Sequence, residues 1–329
     1  MAGALGACMV GSAGARAAPV ELRVGTIAPE GSAYATCAGA MRDAMHRAAG
    51  PGLRIKLFLG AALGDEQTML GKTLEGKHQQ ATGVTMATVA TAVPELALFD
   101  LPFLFENEAE VDAVLASDVR ERVRAILARH DLELIGLLDA GWRHLASRRR
   151  PIATPGDLAG LRVRSQPLGL HLEMWRALGA LPKPLPITEL MTALEVGHIE
   201  AFDIPAVFLF GASLHTQIRY FARSAHVFQV GAVVASRKTV SPAHLRLLAS
   251  AWQRNERACN TSIRDEAWQV EGELTRAGIT VTVLSPQARA AFKEKLAPLR
   301  DSFRKATTPA GRALLAAVER VLARQRRER

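Results

Sequence analysis

Apolar and polar residues alternate over residues 20–27. Leu22, Val24 and Thr26 are set against Glu21, Arg23 and Gly25, which predicts a β-strand. Pro29, Gly31 and Ser32 end it, and Ser32 supplies the N-cap of a helix predicted to run to about Ala48. Gly50-Pro51-Gly52 turns the chain into a second alternating strand at 53–59. A helix over 65–75 and a short apolar strand over 84–89 follow, an order that predicts an α/β domain with a largely parallel sheet. Residues 106–130 read as one amphipathic helix and 132–138 as a strand. Beyond a capped turn at Thr154-Pro155-Gly156-Asp157-Leu158, strands are predicted at 161–165, 200–204 and 227–236, and helices at 169–178 and 188–196. Residues 242–278 hold no internal proline and keep apolar positions at helical spacing. They predict a rod of about 50 Å, longer than one small domain needs.

Length sharpens this picture. A chain of 329 residues exceeds the usual one-domain size, so two domains are expected. Apolar residues make up 49%, ample for a core, and no run of eighteen unbroken apolar residues suggests a multi-span membrane protein. The formal net charge of +9 raises the question of nucleic acid. From Arg300 to Arg329 there are nine Lys/Arg and three Asp/Glu, so +6 of the +9 sits in the last thirty residues. That is read as a solvated basic helical tail, with no nucleic-acid partner.

Catalytic motifs are absent. Leu70-Gly71-Lys72-Thr73 contains the end of a phosphate loop, but Glu66 stands where its first glycine belongs and no strand feeds it. Gly211-Ala212-Ser213-Leu214-His215 lacks the closing glycine of a nucleophile elbow. The nine histidines show no metal-ligand spacing. The sequence therefore predicts neither an enzyme nor a bound cofactor or metal.

Residues 1–18 are small and mostly apolar, and Ala15-Arg16-Ala17 fits a secretory cleavage site. Export to the periplasm is the expectation. Leu5-Gly6-Ala7-Cys8 resembles a lipoprotein cleavage box, which would anchor the protein at Cys8 if translation starts upstream. Cys37 and Cys259 would then remain. They are open to pairing in an oxidising compartment, but two separate buried small hydrophobes is the favoured reading.

Several ordered segments carry a family likeness. Asp157-Leu158-Ala159-Gly160 followed by Leu161-Arg162-Val163-Arg164 resembles a segment of the DctP-type solute receptors of tripartite ATP-independent periplasmic (TRAP) transporters. Ala177-Leu178-Gly179-Ala180 and the stretch from Pro186 to Ala201 follow at the family's spacing. Leu101-Pro102-Phe103-Leu104-Phe105, Gly141-Trp142-Arg143-His144-Leu145, Gly25-Thr26-Ile27-Ala28-Pro29 and Leu63-Gly64-Asp65-Glu66 are also similar. The likeness covers about residues 20–300.

The resemblance implies an α/β, two-lobed periplasmic binding protein fold (type II-like), with a hinge and a long helix spanning both lobes. The expected division is 19–140 plus about 229–268 for lobe I, and 141–228 plus about 269–329 for lobe II. It implies a receptor that closes on a small organic acid between the lobes and delivers it to the small and large TRAP membrane subunits. A ligand sensor signalling to a membrane kinase is the alternative.

The family's central ligand contact falls on Arg164, whose planar guanidinium can grip a carboxylate with two parallel hydrogen bonds. Arg143 matches a second basic position. Glu30, Tyr34 and Thr88 are expected on the first lobe's face, with Asp203 and Ile204 facing them from the second. Most relatives carry Asn where this chain has Ile204, and proline follows Arg164 one residue later than usual. With Trp142, Ile187, Ile204 and Phe208 the cleft would be more apolar than a dicarboxylate needs, so a monocarboxylate with a hydrophobic body is expected.

Overall fold

The structure is a computed structural model that describes residues 19–328, so the expected leader and Cys8 lie outside the described residues. The first half runs β1 (Val20–Thr26), α1 (Ala33–Ala49), β2 (Leu53–Phe58), α2 (Glu66–Glu75), β3 (Ala81–Thr85) and α3 (Met86–Ala92). Next come α4 (Glu108–Leu115), α5 (Val119–Ala128) and the long strand β4 (Leu132–Ser147). The middle holds β5 (Arg162–Ser165), α6 (Gly169–Ala177), β6 (Leu181–Pro184), α7 (Ile187–Glu195), β7 (Ala201–Pro205), α8 (Ala206–Gly211) and β8 (Tyr220–Ser236). The chain ends with α9 (Pro242–Glu273), β9 (Thr280–Val283), α10 (Pro286–Leu296), α11 (Pro298–Ala306) and α12 (Pro309–Arg327).

The strands follow the order β2-β1-β3-β8-β4-β7-β5-β6, with β9 on β8. β4 and β8 pair antiparallel along most of their lengths and cross from one half to the other. β1, β2 and β3 are parallel to one another and gather at one end of this ribbon; β5, β6 and β7 gather, also parallel, at the other. This is the two-lobed α/β fold, with the crossing strands as its hinge. The register of β4 on β8 shifts between Asp139 and Gly141, and Gly141 has φ +95°, a conformation open to glycine.

Local chemistry explains most elements. Ser32 and Asp65 cap α1 and α2 by accepting from Ala35 N and Thr68 N. α9 spans 32 residues, about 48 Å, and packs along β4 and α1. Its Trp252 lies on Gly136 of β4, where an added Cβ would come 2.0 Å from the indole, and Trp252 Nε1 donates to the Leu137 carbonyl at 3.2 Å.

Several expectations are corrected. The strand expected at 84–89 is the end of β3, after which the Thr85 side chain caps α3. The single helix expected over 106–130 is broken into α4 and α5, because Ala116, Ser117 and Asp118 end one and begin the next. Cys37 and Cys259 are not separate hydrophobes: they form a disulfide between α1 and α9, with Cα atoms 5.5 Å apart. α10 and α11 pack on α6, but α12 packs on α4 and α5. There Arg326 of the basic tail is held by the buried Glu110 at 2.9 Å.

Among the described residues no helix is long and apolar enough to cross a membrane.

Candidate functional site: a basic cleft between the lobes

Arg164 stands near the end of β5 and is only 4% exposed. Its Nε donates to the Leu185 carbonyl at 2.8 Å, and this is its one side-chain hydrogen bond among the described residues. The four N–H groups of its two terminal nitrogens are therefore uncommitted. Burial and the nearby Arg143 charge lower its pKa to about 10, while Asp203 and Glu66 act to raise it. It stays charged at neutral pH.

Arg143 is differently engaged. Its Nε and Nη2 donate to the two carboxylate oxygens of Asp203, each at 2.6 Å, and Nη2 also donates to the Asp203 carbonyl. Nη1 donates to Gln229 Oε1 at 2.9 Å. Four of its five N–H donors are thus committed inside the protein. Burial alone would raise the Asp203 carboxyl, but the Arg143 charge and hydrogen bonds overrule it and hold it well below the usual range. His226 Nε2 lies 3.2 Å from Asp203 Oδ2, and burial pushes the imidazole below its ordinary value. Gln229 passes the network on to Gln166 Oε1 at 2.8 Å.

From the first lobe, Glu66 at the start of α2 accepts from Thr85 N at 2.6 Å, Thr88 Oγ1 at 3.0 Å and Thr85 Oγ1 at 3.2 Å. Burial raises its pKa against those bonds and the Arg164 charge. Thr88 is therefore tied to Glu66, on which the Arg164 charge acts; Glu66 stands in the motif Leu63-Gly64-Asp65-Glu66 but not among the expected site residues. Its position directly after a helix cap reads equally well as a partner of the helix dipole, which hides its role.

The remaining candidates divide. Tyr34 donates to the Ala140 carbonyl at 2.8 Å and stacks on Phe208, ring centroids 4.9 Å apart, joining the lobes. Ile204 follows Asp203 in β7 and faces the other way, into an apolar cluster with Leu190, Phe202 and Phe208. Ile187 packs on that cluster, which takes in Ala28 of the first lobe. Trp142 is not brought to Arg164. It packs edge-on against Phe228, at 5.0 Å, and lines a separate hollow of about 780 Å³ with His144, Glu106 and Arg289. Glu30 is exposed and makes no side-chain hydrogen bond among the described residues. An apolar hollow of about 100 Å³ lined by Ile27, Met41, Val84 and Leu138 reaches Glu66 and Thr85.

The arrangement can bind an anion, orient it and exclude water. The comparisons with known proteins agree with a binding role. The model of the family DctP, "Bacterial extracellular solute-binding protein, family 7", matches residues 24–306. The 2,3-diketo-L-gulonate-binding periplasmic protein YiaO of Escherichia coli (strain K12) is 28% identical over 274 residues, 82% of each chain. The sugar acid binding protein DctPAm of Advenella mimigardefordensis, solved with galactonate, superposes with TM-score 0.86 at 24% identity, covering 92% of this chain and 99% of that one. A TRAP periplasmic solute binding protein of Sulfurospirillum deleyianum with bound succinate gives TM-score 0.84 at 19% identity, over 92% and 98%. These relatives are receptors rather than enzymes. The chain belongs to the DctP family of bacterial extracellular solute-binding proteins, the extracytoplasmic receptors of TRAP transporters.

Proposed function

We propose that this receptor takes a small monocarboxylate that carries a hydroxyl group and an apolar flank, and delivers it to TRAP membrane subunits. The observation that carries the reading is the division of labour between the two arginines. Asp203 neutralises Arg143, so Arg164 is left as the cation with donors to spare. A second ligand carboxylate would enter a buried site with no matching charge, at a cost of several kcal/mol. Glu66 is an acceptor for a ligand hydroxyl, and Phe208 lines the apolar hollow that reaches it. The named ligands of the neighbours, galactonate and succinate, show that this fold serves both kinds of acid, so the choice rests on the residues of this chain. We place the lobe boundary at Gly141, where β4 changes register.

The test is a thermal-shift and calorimetric screen of acids in matched pairs, each a monocarboxylate and the dicarboxylate of equal chain length. The monocarboxylate of each pair should bind more tightly. Tighter binding of dicarboxylates would overturn the reading.

A further inference from the structure

The far end of the second lobe carries a cluster of arginines that the solute cleft does not use. Four neighbouring strands end there together. Arg219 immediately precedes β8, Arg148 immediately follows β4, Glu200 immediately precedes β7, and Arg162 opens β5. Backbone bonds hold the row in line: Arg148 N donates to the Glu200 carbonyl at 2.9 Å, Glu200 N to the Arg162 carbonyl at 2.9 Å, and Arg219 N to the Ser147 carbonyl at 3.0 Å. At the usual strand spacing of about 4.8 Å, the three arginines fall within one short arc. With Arg149 they line a hollow of about 400 Å³.

The charges there do not balance. Glu200 accepts from Arg162 N at 3.1 Å and lies 3.3 Å from both Arg149 Nη1 and Arg162 Nη2. One carboxylate thus serves four guanidinium groups, leaving three net positive charges. The Arg148 and Arg219 side chains make no hydrogen bond or ion pair among the described residues, and Arg148 Nη1 is buried without a partner. A buried, unpaired guanidinium N–H is costly unless something accepts from it. Arg164, by contrast, sits toward the carboxyl end of β5, so the two basic sites lie at opposite ends of the same strand.

We infer that this hollow is a second anion site, for a phosphate-class oxyanion held by Arg148 and Arg219 with Arg149 at its rim. A tetrahedral dianion offers more charge and more acceptor oxygens than a carboxylate, which matches several forked donors converging on one place. The chemistry is the same for free phosphate and for the phosphate of an anionic lipid headgroup.

Calorimetric titration of the full chain with inorganic phosphate at low ionic strength should show saturable binding. The R148Q/R219Q variant should weaken it at least tenfold, and R219Q, a change at an exposed position, should weaken it severalfold with an unchanged circular dichroism melt. Flotation with phosphatidylglycerol vesicles, against phosphatidylcholine, separates the two sources. Flotation with phosphatidylglycerol that phosphate competes away and the double variant loses identifies the headgroup. Phosphate binding without flotation identifies the free anion. The inference is overturned if neither probe binds, or if R148Q/R219Q binds both as the parent does.

Discussion

Asp203 holds Arg143 with both carboxylate oxygens, and the two side chains are 0% and 2% exposed. Removing one member of such a pair leaves the other charged and unmatched. Asp203→Ala should therefore lower stability by about 3–5 kcal/mol, read from urea denaturation. Asp203→Asn releases the Arg143 charge into the cleft, so among variants that fold it should shift preference toward dicarboxylates. Unchanged selectivity would mean that Arg143 does not face the ligand.

Arg164→Ala should weaken binding of the preferred acid by about 2–5 kcal/mol, measured by calorimetry. Arg164→Lys keeps the charge but loses the planar fork, and should fall between. Parent-like affinity in the alanine variant would remove Arg164 from the site.

Glu66→Gln tests the hydroxyl contact. The parent should prefer a 2-hydroxy acid to its deoxy analogue, and the variant should lose about 1–3 kcal/mol of that preference while keeping the deoxy acid. Equal loss for both acids would show that Glu66 only shapes the fold.

Stability should respond to pH in two opposed ways. Asp203 and His226 have depressed folded values, so their contributions are complete above the ordinary 3.8 and 6.5 and fade as pH falls below them. Burial raises Asp139 from 3.8 to about 6 despite Arg264, so its contribution is complete below 3.8 and is lost as pH rises through about 6. Asp139→Asn should therefore steepen the rise of stability with pH between about 4 and 6, seen in urea midpoints. A profile identical to the parent's would show that Asp139 does not titrate there.

The disulfide closes a loop with a sequence separation of 222 residues. On the chain-entropy account its loss costs up to about 5 kcal/mol, so C37S/C259S should melt well below the parent, and reductant should do the same to the parent. Equal melting temperatures would refute a stabilising role.

What the sequence discloses depends on how local the cause is. The caps at Ser32 and Asp65 and the unbroken spacing of α9 are local, and they are readable. So is the place of Arg164 near the end of β5, because the residues before it repeat a family pattern. The full lengths of β4 and β8 were not, because strands buried on both faces lose the alternation that marks a strand. The Arg143–Asp203 pair joins positions 60 apart and the disulfide joins positions 222 apart, so neither leaves a trace in spacing. Trp142 is expected in the cleft with Ile187, Ile204 and Phe208, yet it precedes Arg143 in β4, and neighbours in a strand point to opposite faces.

α9 is fastened to both lobes through its C-terminal half. Cys259 ties it to α1 and Glu266 accepts from Ala33 N at 2.6 Å in the first lobe, while Glu271 holds Arg223 at 2.9 Å and His144 at 3.1 Å in the second. A stiff rod pinned this way cannot slide when the lobes part; it has to bow. Its rigidity then acts as a leaf spring whose restoring force enters the balance between the gaping and shut receptor, so a softening change between Glu266 and Glu271 would retune affinity without touching a single ligand contact.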